Sequence, residues 1–507
     1  MLRSLIQKKL FQDFVFCTVS ALLLTLAFPK TDFGFLAWIA LVPWMLALDG
    51  KGKLAAFGLS YLAGIFFFSL MFYWFIHVTL LGMILLILYL AAYFGIFGIF
   101  YAAFSRRKLI EKIFLLPSAW IFIEFLRAHL ISGFGWASLG HSQYKNLALI
   151  QIADITGVAG ISFIVVVINV LLKDFFKIKV AEGKWDFKLF KTAPGWVTLI
   201  FLFVYLGYGF YSLSGSGKWV TAKIAVVQAN IEQEIKWDPR QWREIFKKYL
   251  KLTKGVAVEK PELIIWPETS FPGYVWETPE LFEELKEFVA EIKTPLLIGM
   301  VRQMGEEVYY NSAVLLSSDG EVIDIHDKLH LVPFGEYIPF RNIFPFLEGI
   351  VPIGDFTAGK KYTLFPVDPN GNKKQTFGVL ICFEDTVSKI SRAFTQKGAD
   401  LLVNITNNAW FKDTKAPFLH MQDALFRTVE NRRSLVRSTN TGISCVIDPY
   451  GRIRNYIQNE HHKKTYVEGH IVSAVSLGGP QSFYTKYGDI FTYFCLGSIL
   501  WGIVRRV

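Results

Sequence analysis

Residues 377–386 read FGVLICFEDT. An apolar run of strand length ends in Cys382, and two acids, Glu384 and Asp385, follow almost at once. Short apolar runs bounded by polar turns are the mark of a buried strand. Two readings of the thiol compete. Either Cys382 fills a core and the acids open a surface turn, or it is a nucleophile carried to the lip of a sheet.

The flanking sequence shows what kind of sheet this is. From Lys223 onward, strand and helix patterns alternate. KIAVVQAN (223–230), ELIIW (262–266), PLLIGMV (295–301) and DLLVNIT (400–406) have strand character. Helical spacing with charged faces runs through 238–259, 279–292, 387–399 and 420–433. NSAVLLSS and EVIDIHDK flank the turn signal SDG and predict a hairpin, and SLVRSTN with GISCVIDPYG predicts a closing one. The pattern implies a layered α/β domain with mixed sheets.

Strand ends then become informative. ELIIW runs through Pro267 into Glu268, EVIDIHD into Lys328, and FGVLI into Cys382. Ligands in layered α/β folds bind at the C-terminal edge of the strands. Three strands that deliver a carboxylate, an amine and a thiol to that edge would assemble a covalent catalyst. A free thiol has a pKa near 8.5 and is mostly protonated at neutral pH. A neighbouring carboxylate can take its proton during attack. A lysine and the backbone N–H just past the nucleophile, that of Phe383, can stabilise an oxyanion.

Outside this region the composition changes. The chain has 507 residues, 53% of them hydrophobic and 16% aromatic. Apolar runs near 10–29, 33–49, 56–77, 79–104, 113–131, 147–172, 194–213 and 488–504 give eight candidate membrane spans. The first follows Arg3, Lys8 and Lys9 and reads as a retained anchor rather than a cleaved signal. With the N-terminus inside, alternation puts seventeen Lys and Arg on the inner side and three, Lys30, Arg127 and Lys145, in short outer loops. This bias sets the orientation and places the polar domain outside the cytoplasm. The expected organisation is a membrane domain of seven spans over 1–217, an extracytoplasmic domain over 218–486, and a last span over 487–507.

The net charge of +11 therefore reflects topology and lipid headgroups, and nucleic-acid binding is not expected. SGSGKW (214–219) lacks the first glycine and the Ser/Thr of a phosphate loop. His326 and His330 flank Lys328 with no further ligand in step, so no metal is expected. Of the four cysteines, Cys17 and Cys495 fall in apolar runs; Cys382 and Cys445 could pair, though a nucleophile would have to stay free. Asp154 lies inside a predicted span and receives no role. FRNIFPFLEGIVPIG (340–354) and AWFKDTKAPF (409–418) are aromatic loops that either touch lipid as lids or pack on their own core.

Glu268, Lys328 and Cys382, each after a strand and in that order, resemble the nitrilase superfamily. The local words IIWPETSFP, HDKLHLVPFGEYIP, LICFEDT, ITNNAWF, LVRSTNTGIS and, in the apolar half, GFGWASLGHSQYKN resemble the apolipoprotein N-acyltransferase family over essentially the whole chain. The resemblance implies a helical membrane bundle joined to an αββα sandwich. It implies Glu268 as general base, Lys328 as oxyanion-stabilising lysine and Cys382 as nucleophile, with Glu336 and Glu384 in support. Trp237 and Trp410 match aromatics associated with the substrate. Phe383 departs from the tyrosine common at that place. The implied reaction moves an acyl chain from a phospholipid through a Cys382 thioester to the α-amine of a diacylglyceryl-cysteine apolipoprotein, at the bacterial inner membrane, without a cofactor, by a monomer. The alternatives are a membrane-tethered amidase, whose acyl-enzyme water would capture, and a non-catalytic transporter or lipid-binding scaffold.

Overall fold

The structure is a computed structural model that describes residues 2–182, 185, 187–215, 219–305, 307–338, 355–368 and 374–505. The aromatic stretch 340–354 lies outside the described residues. The chain divides into two compact units, Met1–Ser216 with Tyr487–Val507, and Gly217–Lys486.

The second unit carries the strands. They are β1 (Val220–Gln228), β2 (Leu263–Ile265), β3 (Leu296–Gln303), β4 (Tyr309–Leu316), β5 (Val322–Asp327), β6 (Leu364–Pro366), β7 (Thr376–Ile381), β8 (Leu401–Thr406), β9 (Ser434–Thr439), β10 (Cys445–Ile447), β11 (Ile453–Tyr456) and β12 (Gly469–Leu477). They form two six-stranded sheets, ordered β12-β1-β2-β3-β4-β5 and β11-β10-β9-β8-β7-β6. Each sheet has a parallel centre, β1-β2-β3 in one and β7-β8-β9 in the other, and antiparallel flanks. The sheets are mixed for the reason the sequence suggested: β4–β5 and β9–β10 are the two anticipated hairpins. Strands β6, β11 and β12 were not anticipated. β6 and β11 are three and four residues long, and β12 alternates only loosely between buried and exposed positions.

Side-chain alternation builds the layers. Ile224, Val226, Ile265 and Leu297 of the first sheet meet Phe377, Val379, Ile381 and Val403 of the second in a shared inner core. Their neighbours Ala225, Val227, Ile264, Leu296 and Ile298 turn outward onto Phe246, Tyr249, Leu285 and Val289, from helices Trp242–Ala257 and Pro279–Ile292. Helices Ser388–Gln396 and Ala416–Asn431 belong to the second sheet's outer side. The result is an αββα sandwich. In β7, Gly378 faces Ser388–Gln396, and a Cβ there would sit 2.4 Å from the Phe394 ring. A glycine is what lets the helix approach the strand that carries the thiol.

The first unit is helical. Five stretches are long and apolar enough to cross a membrane among the described residues: Gln7–Leu26, Lys53–His77, Leu80–Phe104, Val158–Ile178 and Ala193–Ser214. Helix Leu109–His129 is as long but carries Glu111, Lys112, Glu124 and Arg127. Ile490–Val504 is shorter. Two expected spans are broken. The stretch 33–49 splits into Gly34–Leu36, Ala37–Ala40 and Val42–Leu48. There Asn169 bridges the break, accepting from the Leu41 N–H at 2.9 Å and donating to the Ala37 carbonyl at 2.9 Å. Such side-chain rescue is how a membrane helix tolerates interruption. The stretch 147–172 turns at Gly157, whose φ of 64° ends Ala153–Thr156, and the long helix starts only at Val158. Apolar side chains such as Ile200, Phe203, Val204 and Phe210 point outward from Ala193–Ser214, as lipid-facing residues do. Lysines counted on the inner side pair with acids, Lys173 and Lys177 with Asp49 at 2.6 and 2.9 Å. Asp154 accepts from the Tyr208 hydroxyl at 2.7 Å.

Candidate active site

The parallel strands of both sheets end on one edge, and the residues just past those ends meet. Glu268 follows β2, Lys328 follows β5 and Cys382 follows β7. Strand β5 reaches this edge because it is antiparallel to β4, which is antiparallel to β3. The Lys328 ammonium lies 3.8 Å from Glu268 Oε1. Cys382 packs against the inner core and stays free, as does Cys445.

Each group is held by its neighbours. Glu268 Oε1 accepts from Asn311 Nδ2 and Oε2 from the Asn407 N–H, both at 2.8 Å. The turn that carries Glu268 is tight: Thr269 has φ of 44°, and a Cβ on Gly299 would fall 2.6 Å from the Pro267 oxygen. Lys328 is 1% exposed and donates to Glu336 Oε1 at 2.8 Å. Glu336 also accepts from Asn311 Nδ2 at 3.0 Å and from the Val332 N–H at 2.8 Å. Asn311 therefore ties the two carboxylates together with Lys328 between them. Glu384 is fully buried and works as a staple. It accepts from the Leu329 and His330 N–H groups at 2.6 and 3.0 Å, and from the Ile381 N–H at 2.7 Å. One carboxylate thus joins the end of β7 to the loop leaving Lys328.

Electrostatics give the groups distinct states. Burial pushes the Cys382 thiol up to about 12, with Glu268 adding to the effect and Lys328 opposing it. The resting group is a thiol, which needs a base to become a nucleophile. Burial alone would lower the Lys328 pKa, but Glu336, Cys382 and Glu268 outweigh it and hold the amine above its ordinary value. The neighbouring carboxylates thus favour the charged form of Lys328. Burial raises Glu384 to about 7 against its three N–H donors and Lys328.

Cys382 sits at a sharp turn with φ of 54°, where β7 passes into the single turn Cys382–Thr386. A non-glycine residue held there stores of the order of 1–3 kcal/mol of strain. The turn places the Phe383 N–H directly after the thiol. The Phe383 ring stacks on His330 with centroids 6.1 Å apart. His326, the other histidine beside Lys328, packs on Phe394 at 5.3 Å.

The two tryptophans lie on separate segments, neither directly following a strand. Trp237 caps Gln233–Lys236, and its ring lies 5.8 Å from Tyr274, which stacks on Trp276 at 4.6 Å. Trp410 is 52% exposed, in the turn Ala409–Phe411 three residues past Asn407. In the stretch 409–418, Trp410 thus points outward while Ala409, Thr414, Ala416 and Pro417 are buried.

Several residues at this edge had gone unremarked. Asn407 directly follows β8, so the reading of strand ends that singled out Glu268, Lys328 and Cys382 applies to it too, whereas Asn311 is the third residue of β4 and reaches this edge only because β4 runs antiparallel to β3. Lys236 is buried beside Trp237 and donates to the Glu268 carbonyl at 3.2 Å and to Thr269 Oγ1 at 2.6 Å. Burial lowers it to about 8, with Glu268 and Cys382 opposing. Asp385, one of the two acids that would open a surface turn if Cys382 were a core residue, is instead fully buried and ion-paired with Arg437.

Known proteins place this chain. A family model described as the apolipoprotein N-acyltransferase N-terminal domain matches residues 20–171, and one described as carbon-nitrogen hydrolase matches 223–474. An apolipoprotein N-acyltransferase of Geobacter metallireducens is 37% identical, over 96% of this chain and 93% of its own length. The chain belongs to the apolipoprotein N-acyltransferase family. The member from Chlorobaculum tepidum is 28% identical over 98% of this chain and 96% of its own. Among solved structures, an amidase from Nesterenkonia sp. covers 55% of this chain and 99% of its own at 16% identity and a TM-score of 0.40, a likeness too slight to bear on activity. Within the family, the αββα unit is the carbon–nitrogen hydrolase domain.

Proposed function

We propose that this chain is an apolipoprotein N-acyltransferase working through a Glu268–Lys328–Cys382 triad. The observation that carries the reading is the convergence of a thiol, a hydrogen-bonded carboxylate and a buried lysine just past the strand ends, with Lys328 3.8 Å from Glu268. In the first half-reaction Cys382 Sγ attacks an acyl ester carbonyl of a phospholipid while Glu268 takes the thiol proton. Lys328 and the Phe383 N–H stabilise the oxyanion. Its collapse expels the lysophospholipid alkoxide, which recovers the proton from Glu268, and a thioester remains on Cys382. In the second, the α-amine of a diacylglyceryl-cysteine apolipoprotein attacks the thioester. Glu268 takes the amine proton and returns it to the departing thiolate. Covalent catalysis thereby splits one difficult aminolysis into two displacements.

Glu336 keeps Lys328 oriented, and Glu384 sets the spacing between Lys328 and Cys382. Trp237 and Trp410 contact lipid substrate, a role that the exposure of Trp410 and the aromatic row beside Trp237 support. The domain over 218–486 is the catalytic one. It stands on the periplasmic side of the inner membrane, anchored by the helices of 1–217 and 487–507, and the lysine- and arginine-rich loops face the cytoplasm.

The test supplies the purified enzyme with a defined phospholipid and a diacylglyceryl-cysteine peptide. The expected product is the N-acylated peptide together with lysophospholipid. Free fatty acid without acylated peptide would contradict the transferase reading and favour a hydrolase.

A further inference from the structure

A buried polar cluster gathers around the main-chain carbonyl of Cys382. Asn404 on β8 donates from Nδ2 to the Leu380 and Cys382 carbonyls at 3.0 and 3.1 Å. His420, on helix Ala416–Asn431, brings Nε2 to 3.2 Å from the Cys382 carbonyl and 2.7 Å from Asp385 Oδ1. The Asn408 amide lies 3.1 Å from His420 Nδ1. An amide donating there leaves the ring proton on Nε2. Arg437, on β9, donates from Nη1 to Asn404 Oδ1 at 2.7 Å and to Asp385 Oδ2. All four side chains are at most 2% exposed.

We infer that Asp385, His420, Arg437 and Asn404 form a positioning device for the nucleophile, acting through the main-chain carbonyl of Cys382. The inference rests on the assignment of Cys382 as nucleophile. A fully buried ion pair is a poor stabiliser, because desolvation offsets most of its attraction and apolar substitutes often do as well. What this pair does is aim two donors. Arg437 fixes Asn404 by its oxygen, so the amide hydrogens point at the two carbonyls. Asp385 holds the His420 ring in place, and the single Nε2–H is shared between Asp385 Oδ1 and the Cys382 carbonyl. Cys382 sits at φ of 54°, a conformation that a side chain rarely adopts unless its surroundings hold it. The register places the device: Asn404 lies opposite Leu380 on one side and Arg437 on the other. These residues hold the peptide unit that carries the thiol, so they are positioning residues and not catalytic ones.

The experiment measures single-turnover formation of the Cys382 acyl-thioester by the full-length enzyme over a range of phospholipid concentrations. Thermal melting of each variant reports folding. His420→Phe removes the donor and should slow acylation about tenfold to a hundredfold, as small misplacements of a reacting group do. The half-saturating phospholipid concentration should stay unchanged. His420→Gln, which offers an amide N–H from the same helix, should recover most of the rate. Asn404→Asp, which keeps the shape and the Arg437 contact but loses the donor, should be slow in the same way, and it decides the matter if His420→Phe does not fold. Folded variants that acylate at the wild-type rate overturn the inference. So does equal slowness of His420→Phe and His420→Gln, which marks a merely structural histidine. No thioester in the wild type overturns the nucleophile assignment and the inference with it, whereas a wild-type thioester with unimpaired variants overturns the inference alone.

Discussion

At the scale of single residues, Cys382 and Glu268 pull against each other before the substrate arrives. Burial and the Glu268 charge both raise the thiol pKa, to about 12, while Lys328 lowers it. Replacing Glu268 with Gln therefore has two opposite effects. Acyl transfer should fall by about 10²–10⁴, the usual worth of a general base. The thiol itself should ionise at lower pH, because the repelling carboxylate is gone and Lys328 remains. The pH profile of Cys382 alkylation by iodoacetamide checks this, and a midpoint that stays put or rises would contradict it. Lys328→Met should cost about 10²–10³ in turnover, as losing an oxyanion donor does. A steady-state assay reads that loss, which should appear in kcat more than in KM.

At the scale of elements, the site depends on close approaches that no side chain announces. A Cβ on Gly299 would meet the Pro267 oxygen and Thr269 nitrogen at 2.6 Å and Glu268 Cα at 2.7 Å. Gly299→Ala should thus cost about 1–3 kcal/mol of stability as overpacking does, measured by thermal melting, and lower activity by shifting Glu268. Glu384→Gln puts an amide NH₂ or a lone oxygen where a carboxylate serves three N–H groups. Leaving one buried N–H unpaired costs about 1–3 kcal/mol, and the expected signs are a lower melting temperature and slower acylation. The strands that lead to Glu268, Lys328 and Cys382 were legible because each is an apolar run cut off by a polar group or a thiol. The sequence could not show the staple, since Glu384 and the Leu329 and His330 N–H groups are joined only by the fold. The burial of Asp385 was hidden for the same reason. Its partners Arg437 and His420 lie 52 and 35 positions away, and nothing local distinguishes it from a turn acid.

At the scale of the whole molecule, hydropathy separates apolar helices from a polar α/β region, because lipid and water demand different surfaces, whereas the αββα layering came from strand–helix alternation and the family resemblance. The individual spans were less legible. Composition cannot show that Gly157 takes φ of 64° or that Asn169 closes the break near Leu41, so 33–49 and 147–172 read as continuous. The proposed orientation makes a direct forecast. Cysteines introduced at exposed Asp319 and Lys108 should behave oppositely in intact spheroplasts. A membrane-impermeant maleimide should label Asp319→Cys and spare Lys108→Cys, and the reverse pattern would invert the topology. The central claim, that a lipid acyl chain rests on Cys382 between two half-reactions, has a test of its own. The enzyme is incubated with phospholipid and no acceptor, digested, and the peptide containing Cys382 is weighed by mass spectrometry. An added acyl mass that neutral hydroxylamine removes, absent in Cys382→Ser, is the predicted result; active enzyme whose Cys382 peptide never carries that mass would contradict the account.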